Sequence, residues 1–193
     1  MPTSQYFQEL QSRGESLIGF LNELKISDNR GPLATLRAAL SPSEKQRMPA
    51  WRILARFGGI PSSEEAGSRH HADVVRLTAG LFTFPNLSHS SEAGNFGATC
   101  RTLLTEEERK SFSTPEIIGP VSQRLQHLLA ADRSEIGDRV LRMARRMSQN
   151  ETKLNFVALY EDLNFWGSHT NAKWAGAFWN SPTDEQQEEE VAP

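Results

Sequence analysis

Seven arginines on three segments of the sequence have a type and spacing that could bind a ligand. A guanidinium group is planar, always charged and able to hold two phosphate oxygens at once, so these residues predict binding to a polyanion. Each arginine could instead be an ordinary solvated cation, and the pattern around it has to separate the two interpretations. The seven residues are Arg30, Arg37, Arg52, Arg56, Arg139, Arg142 and Arg146.

The segment 134–147 has the clearest pattern, because a helix would divide it into an apolar and a basic face. At about 100° per residue, Arg139, Arg142 and Arg146 share one arc, and Arg145 lies at its edge. Ser134 is predicted to cap this helix. One face would pack in a core and the other would be free for a partner, unless the basic face is merely solvated. The apolar arc consists of Ile136, Val140, Met143, Ala144 and Met147.

Two further pairs of arginines lie in the N-terminal half of the chain. Arg30 and Arg37 are seven residues apart beside a predicted turn, where they could hold phosphate oxygens or lie over the edge of a core. Arg52 and Arg56 are four residues apart on a predicted helix, and the segment 49–57 contains no acid to neutralise them. Both pairs could therefore bind an anion, with a solvated surface as the alternative.

The sequence contains no convincing catalytic or metal-binding pattern. Cys100 with His89 could form a thiol hydrolase pair, but no nucleophile-elbow motif or orienting acid accompanies them. His70 and His71 are adjacent and would point about 100° apart on a helix, which is unsuited to joint metal ligation. We therefore predict that the chain is not an enzyme and needs no metal and no cofactor.

Composition indicates a globular chain from a reducing compartment. The 193 residues are 37% hydrophobic, enough for a modest core, and the single cysteine permits no internal disulfide. Five acidic residues lie in the segment 181–193, and without them the formal charge of −3 becomes about +2, so the rest of the chain is mildly basic. No membrane-spanning apolar run or signal-peptide pattern is present, so the chain is predicted to be cytoplasmic, without a membrane partner.

The spacing of apolar residues predicts an all-α fold of two small helical bundles. We place the N-terminal bundle at residues 1–110, the C-terminal bundle at 111–180 and an acidic, disordered tail at 181–193. No alternating apolar pattern or hairpin turn predicts a strand. Aromatic residues near the C-terminus, such as Trp174 and Phe178, are expected in the core, with a base-stacking platform as the alternative.

Six fragments, taken in order, resemble the CasB family, the small subunit of the type I-E CRISPR surveillance complex Cascade. The resemblance covers most of residues 5–180 and rests on the order and spacing of the fragments, among which an EDL-x-x-W stretch is the most telling. The acidic tail departs from the family pattern. The fragments are GPLATLRAAL, PAWRIL, RLTAGLFTF, GNFGATCRTLL, QRLQHLLAADRSEIGDRVLRMARRM and FVALYEDLNFWGSHTNAKWAGAFW.

The resemblance implies a non-enzymatic, all-helical subunit of Cascade. Members of the family assemble as a pair, so it implies a second copy of the chain as a partner, together with the repeated backbone subunits and the large subunit. In such complexes they line a basic channel that supports the target strand and the displaced strand of the R-loop, so the resemblance implies guide RNA and target DNA as further partners. Because pairing with the guide reads the sequence, the protein needs only to hold backbone phosphates, a role that suits the seven arginines.

These observations predict weak binding to nucleic acid, without sequence preference, that weakens steeply as salt is added. The alternative is a structural adaptor in a multisubunit complex, whose basic faces contact acidic protein surfaces and never meet nucleic acid. Salt-dependent binding of the isolated protein to single-stranded DNA would distinguish the two interpretations.

Overall fold

The structure is a computed structural model that describes residues 4–113 and 118–180. Ten α-helices make up most of this described part, so the predicted all-α fold class is confirmed. In chain order the helices are α1 (Ser4–Ile26), α2 (Arg30–Ala38), α3 (Glu44–Leu54), α4 (Ala66–Phe82), α5 (Phe96–Arg101), α6 (Glu106–Lys110), α7 (Pro120–Leu129), α8 (Ile136–Met147), α9 (Phe156–Asn164) and α10 (Ser168–Trp179).

One short pair of strands accompanies the helices, and the expectation of no strand was wrong in this detail. Strands β1 (Leu87–His89) and β2 (Thr152–Leu154) pair in parallel, with Ser88 opposite Lys153. Strands of three residues are too short to show the alternation that reveals a strand in a sequence. The pair joins a segment after α4 to the segment between α8 and α9.

A single hydrophobic core runs through both predicted bundles. Helix α9 packs on α1 and α4, α8 packs on α4, and α5 packs on α10. Leu17 and Val75 come from the N-terminal half of the chain and Leu159 from the C-terminal half, and all three have no exposed surface. A shared core does not tell which segment folds alone, so the division at residue 110 stays a prediction. The acidic tail assigned to 181–193 lies outside the described residues.

The C-terminal aromatics belong to this core. Trp174 and Phe178 are fully buried, and the indole Nε1 of Trp174 donates a hydrogen bond of 2.6 Å to Asp162 Oδ2. The Lys173 ammonium group lies 2.7 Å from Oδ1 of the same carboxylate. Two donors therefore compensate the buried charge of Asp162. The expectation of a core role for these aromatics is confirmed, because no face of Trp174 is available for a base.

One buried carboxylate sets the position of α7. Glu108 belongs to α6, whose first turn it caps reciprocally with Thr105. Its Oε1 atom also accepts a hydrogen bond of 2.9 Å from the backbone N–H of Val121, in the first turn of α7. Gly119 lies against this carboxylate, where any side chain would collide with it. Glu108 therefore fixes the start of the helix that forms one wall of the candidate site.

We expect Glu108→Ala to lower the free energy of unfolding by about 2 kcal/mol, because it leaves the buried Val121 N–H without an acceptor and removes the reciprocal cap. Glu107→Ala, on the exposed side of the same helix, serves as the control and should change stability by less than about 0.5 kcal/mol. Chemical denaturation followed by circular dichroism measures both. Equal stability of the two variants would show that Glu108 does not hold α7.

Candidate nucleic-acid interface

Helix α8 has the two faces that the sequence predicts. All five residues of its apolar arc are buried, and it packs against α4 and α7. The predicted cap was wrong: α8 begins at Ile136, its N-cap residue is Glu135, and no side chain among the described residues caps it. Asp132 instead holds the turn that precedes the helix, where Ser134 is a donor. Asp132 Oδ1 lies 2.7 Å from the backbone N of Ser134 and 3.2 Å from that of Glu135. The Ser134 hydroxyl and these N–H groups lower the pKa of Asp132.

The basic face of α8 forms one wall of a groove whose other wall is α7. This α7–α8 groove has a volume of about 380 Å³, and among the described residues its lining contains no carboxylate. His127, Met143 and Gln149 complete a lining that otherwise consists of arginines. Its charged or titratable residues are Arg124, Arg139, Arg142, Arg145, Arg146 and His127. Such a concentration of guanidinium groups favours a ligand with several negative charges.

The predicted arginines of α8 remain accessible in this groove. Arg139 forms an ion pair with Glu135 at 3.2 Å, one turn earlier, and its side chain keeps about a third of its surface exposed (34%). An exposed pair of this kind contributes little energy, so an anion can compete for the guanidinium group. Within the described part of the chain, the side chains of Arg142 and Arg146 form no hydrogen bond or ion pair. The structure thus brings Arg139, Arg142 and Arg146 together at one site.

The first predicted pair lies elsewhere, on α2. Arg30 is exposed and pairs with Asp28 at 2.9 Å. Arg37 donates a hydrogen bond of 2.6 Å from Nη2 to the Thr83 carbonyl oxygen and a longer one of 3.4 Å from Nε to the Thr83 hydroxyl. Arg37 therefore connects α2 to the C-terminal end of α4. Neither arginine lines the α7–α8 groove, and their contact with nucleic acid stays a prediction.

The second predicted pair is also separate from the groove. Arg52 is exposed on α3, and no group of the described chain pairs with it. The guanidinium carbon of Arg56 lies 4.1 Å from the ring centroid of Phe20 and 4.8 Å from that of Phe57. Arg56 is thus packed on two aromatic rings and covers an edge of the core, as an arginine stem often does. A role for this pair in binding also stays a prediction.

A larger groove adjoins the first. This central groove, of about 550 Å³, lies between α8, α4 and the turn after α2. Arg142 and Arg145 line both grooves, so the two open into one surface. Arg76 lines the central groove and pairs with Asp73 at 2.6 Å. Burial lowers the pKa of Arg76, Asp73 opposes that shift, and the nearby Arg47 adds to it.

Sequence reasoning missed two members of the α7–α8 groove. Arg124 and His127 are three residues apart on α7, opposite the buried Val121, Leu125 and Leu128. That spacing places both on one helical face and could have revealed them. One arginine and one histidine on a short helix become informative only when a second, basic helix lies alongside. Arg145, predicted at the edge of the basic arc, is a full member of the lining.

Comparison with known proteins shows the family to which this chain belongs. A sequence profile of the family described as "CRISPR-associated protein Cse2" matches residues 32–179, which is more than half of the chain. The chain belongs to the Cse2 family. CasB is another name for Cse2, so the predicted membership of the CasB family is confirmed. No curated protein matches the sequence.

Solved structures share the fold of this Cse2-family chain. CasB from M. ruber is 21% identical, with a TM-score of 0.65 over 93% of this chain and 98% of that chain. CasB from Thermus thermophilus is 20% identical, with a TM-score of 0.62 over 87% of this chain and 98% of that chain. A chain from a "CRISPR RNA-guided surveillance complex" is 16% identical, with a TM-score of 0.63 over 95% and 99% respectively. At these identities the likeness establishes the fold.

The thiol hydrolase alternative gains no support from the geometry of this Cse2-family chain. Cys100 has no exposed surface, and burial raises the pKa of its thiol, so the reactive thiolate is disfavoured. The Nδ1 atom of His89 accepts a hydrogen bond of 3.3 Å from the backbone N–H of Phe156 and is thus engaged in local structure. Burial lowers the pKa of His89.

We expect the Cys100 thiol to resist a disulfide reagent in the folded protein, because the reagent needs an accessible thiolate. Absorbance measurements with such a reagent should show reaction only as denaturant unfolds the chain, and fully denatured protein is the control for total thiol. Rapid reaction of the native protein would contradict the buried position of Cys100.

The described part of the chain contains no cluster of three or more His, Cys, Asp or Glu side chains able to hold a metal ion. None of the helices in residues 4–113 and 118–180 is long and apolar enough to cross a membrane.

Proposed function

We propose that this Cse2-family chain is a non-catalytic subunit of the type I-E Cascade complex that holds the phosphate backbone of nucleic acid in the α7–α8 groove. The observation that supports the proposal best is the groove itself, where five arginines from two helices converge without a carboxylate among the described lining residues. Backbone binding needs positive charge at several points and no base-specific contact. The groove has that composition.

The partners follow from the family and the charge. We propose target DNA, as single strands and in the R-loop, and guide RNA as the ligands of the basic surface, with pairing to the guide supplying sequence specificity. The protein partners would be the Cascade backbone subunits, the large subunit and a second copy of this chain. The chain from a "CRISPR RNA-guided surveillance complex" that shares this fold supports assembly of this kind. Such an assembly would act in the cytoplasm.

We expect the full-length protein to bind single-stranded DNA weakly, with an affinity that decreases linearly with salt concentration on a log–log scale. Neutralising one phosphate of a single strand contributes about −0.7 to the slope, so a strand held by most of the groove arginines should give a slope of roughly −3. Fluorescence anisotropy of a labelled strand, titrated at several salt concentrations, measures this slope.

Two strands of equal length and unrelated sequence provide the control. Both should bind alike, since phosphates are the same in every sequence. An affinity that does not change with salt, or binding confined to one of the two strands, would contradict the proposal. Absence of binding at low salt would favour the structural adaptor instead.

A further inference from the structure

We infer that the central groove receives an unstacked base of the same strand whose phosphates lie in the α7–α8 groove. The inference rests on the proposed function and adds to it a second subsite with a different chemistry. Its basis is the juxtaposition of an arginine-rich groove without a carboxylate in its described lining and a groove of mixed polar and apolar lining, which share Arg142 and Arg145. A strand bound to these two arginines would therefore lie beside the central groove.

The central groove has an apolar floor. Leu77 and Leu141 contribute to it from α4 and α8, and Leu40 contributes from the turn after α2. Its volume of about 550 Å³ lies within the range of sites that bury small organic molecules. An unpaired base offers a flat, weakly polar ring that gains free energy when it leaves water for such a surface.

The central groove differs from the α7–α8 groove in that it contains carboxylates as well as cations. Its lining includes two carboxylates, Asp73 and Asp138, whereas the α7–α8 groove has none in its described lining. The same lining includes five arginines, namely Arg47, Arg76, Arg133, Arg142 and Arg145. Asp73 is paired with Arg76, but no group in the described chain pairs with the Asp138 carboxylate. A carboxylate repels phosphate, yet it accepts hydrogen bonds from the amino groups of bases. The central groove therefore offers a base hydrogen-bond acceptors and leucine side chains, whereas the described lining of the α7–α8 groove offers neither a carboxylate nor a leucine.

Gly137 gives a direct means of closing the groove. It lines the groove in the first turn of α8, and a Cβ atom there would lie 3.7 Å from the Leu77 side chain, an ordinary van der Waals contact. Gly137→Ala therefore fits without displacing its neighbours and keeps the groove open. Gly137→Phe would occupy the space proposed for the base and leave every arginine in place.

The test compares the full-length chain with these two variants on two single strands of about 12 nucleotides, one normal and one abasic throughout, with identical numbers of phosphates. The unmodified chain and G137A should prefer the normal strand by about tenfold, since burial of one base is lost on the abasic strand. G137F should bind both strands equally, at the affinity of the abasic strand. All three proteins should share one salt slope, because the phosphate contacts are unchanged.

Leu141→Gln provides a second variant in case G137F does not fold. It makes the floor polar without filling the groove, and it should lower the preference for the normal strand to about threefold. Circular dichroism and thermal unfolding establish that each variant is folded before binding is measured.

Each remaining outcome is informative. Equal binding of both strands by the unmodified chain, with a steep salt slope, would overturn the base subsite and leave the proposed function standing. Undiminished preference in both G137F and L141Q would place the base elsewhere and also overturn the inference. Failure of the unmodified chain to bind either strand at low salt would remove the proposed function and the subsite together. If G137F instead failed to join Cascade while retaining its strand preference, the groove would belong to a protein contact.

Discussion

The variant R139Q/R142Q/R146Q is expected to bind single-stranded DNA roughly 100-fold more weakly than the unmodified chain at low salt, since each exposed charged contact contributes up to about 1 kcal/mol. Glutamine has a helix propensity close to that of arginine, and the buried apolar arc of α8 is untouched, so folding should persist. The slope of log affinity against log salt should decrease in magnitude by about 2, or about 0.7 for each of three lost contacts. Anisotropy titrations measure both quantities.

A second triple variant controls for net charge. R30Q/K45Q/R52Q removes three exposed cations of α2 and α3, none of which lines the α7–α8 groove. If the groove holds the strand, this variant should bind almost normally. Equal losses in the two variants would mean that overall charge, or the predicted contacts of Arg30 and Arg52, contribute as much as the groove.

Assembly into Cascade distinguishes nucleic-acid binding from protein binding as the function of the basic face of α8. The variant R139Q/R142Q/R146Q should still join Cascade, and R-loop formation by that complex should be weakened by a similar factor on every target. A variant that fails to join the complex while its unassembled DNA binding persists would assign the face to a protein partner. Normal behaviour in both measurements would reduce the face to a solvated surface.

The largest loss of stability is expected from Gly97→Ala. Gly97 lies in α5 directly against the backbone of α10, where an added Cβ atom would lie 2.7 Å from the carbonyl carbon of Trp174 and closer still to its oxygen. Backbone atoms cannot rotate away as the end of a side chain can, so α5 and α10 would have to separate. We expect a cost of about 3 kcal/mol and a Tm lower by roughly 10 °C.

Gly176→Ala is the matched control for this substitution. Gly176 lies in α10, one of the same two helices, and an added Cβ atom there meets nothing within 4 Å. Because alanine is the better helix former, this variant should be more stable by about 0.5–1 kcal/mol. Thermal unfolding of both variants provides the comparison. If G97A were as stable as G176A, the close packing of α5 on α10 would be wrong.

Local patterns in the sequence were sufficient to predict the fold class and the apolar and basic faces of α8. Ile136, Val140 and Met147 repeat at helical spacing, and that spacing depends only on the geometry of one helix, so burial of the arc could be predicted before any packing was known. The core role of Trp174 and the family membership were likewise accessible, since both depend on residue types and their order along the chain.

Only the tertiary structure determined which side chains from different helices line the same groove. Arg124 and His127 join the α8 arginines only because α7 packs beside α8. The first turn of α7 is in turn held by a hydrogen bond from Val121 to Glu108. Packing also directs Arg37 to the end of α4, a contact between residues far apart in the chain. The strand pair escaped prediction for a related reason, because parallel strands pair across a long separation and three residues show no pattern. The spacing of residues along the sequence predicts which face of one helix is buried. A groove between two helices also depends on how those helices are placed relative to each other, which the spacing within either helix does not determine.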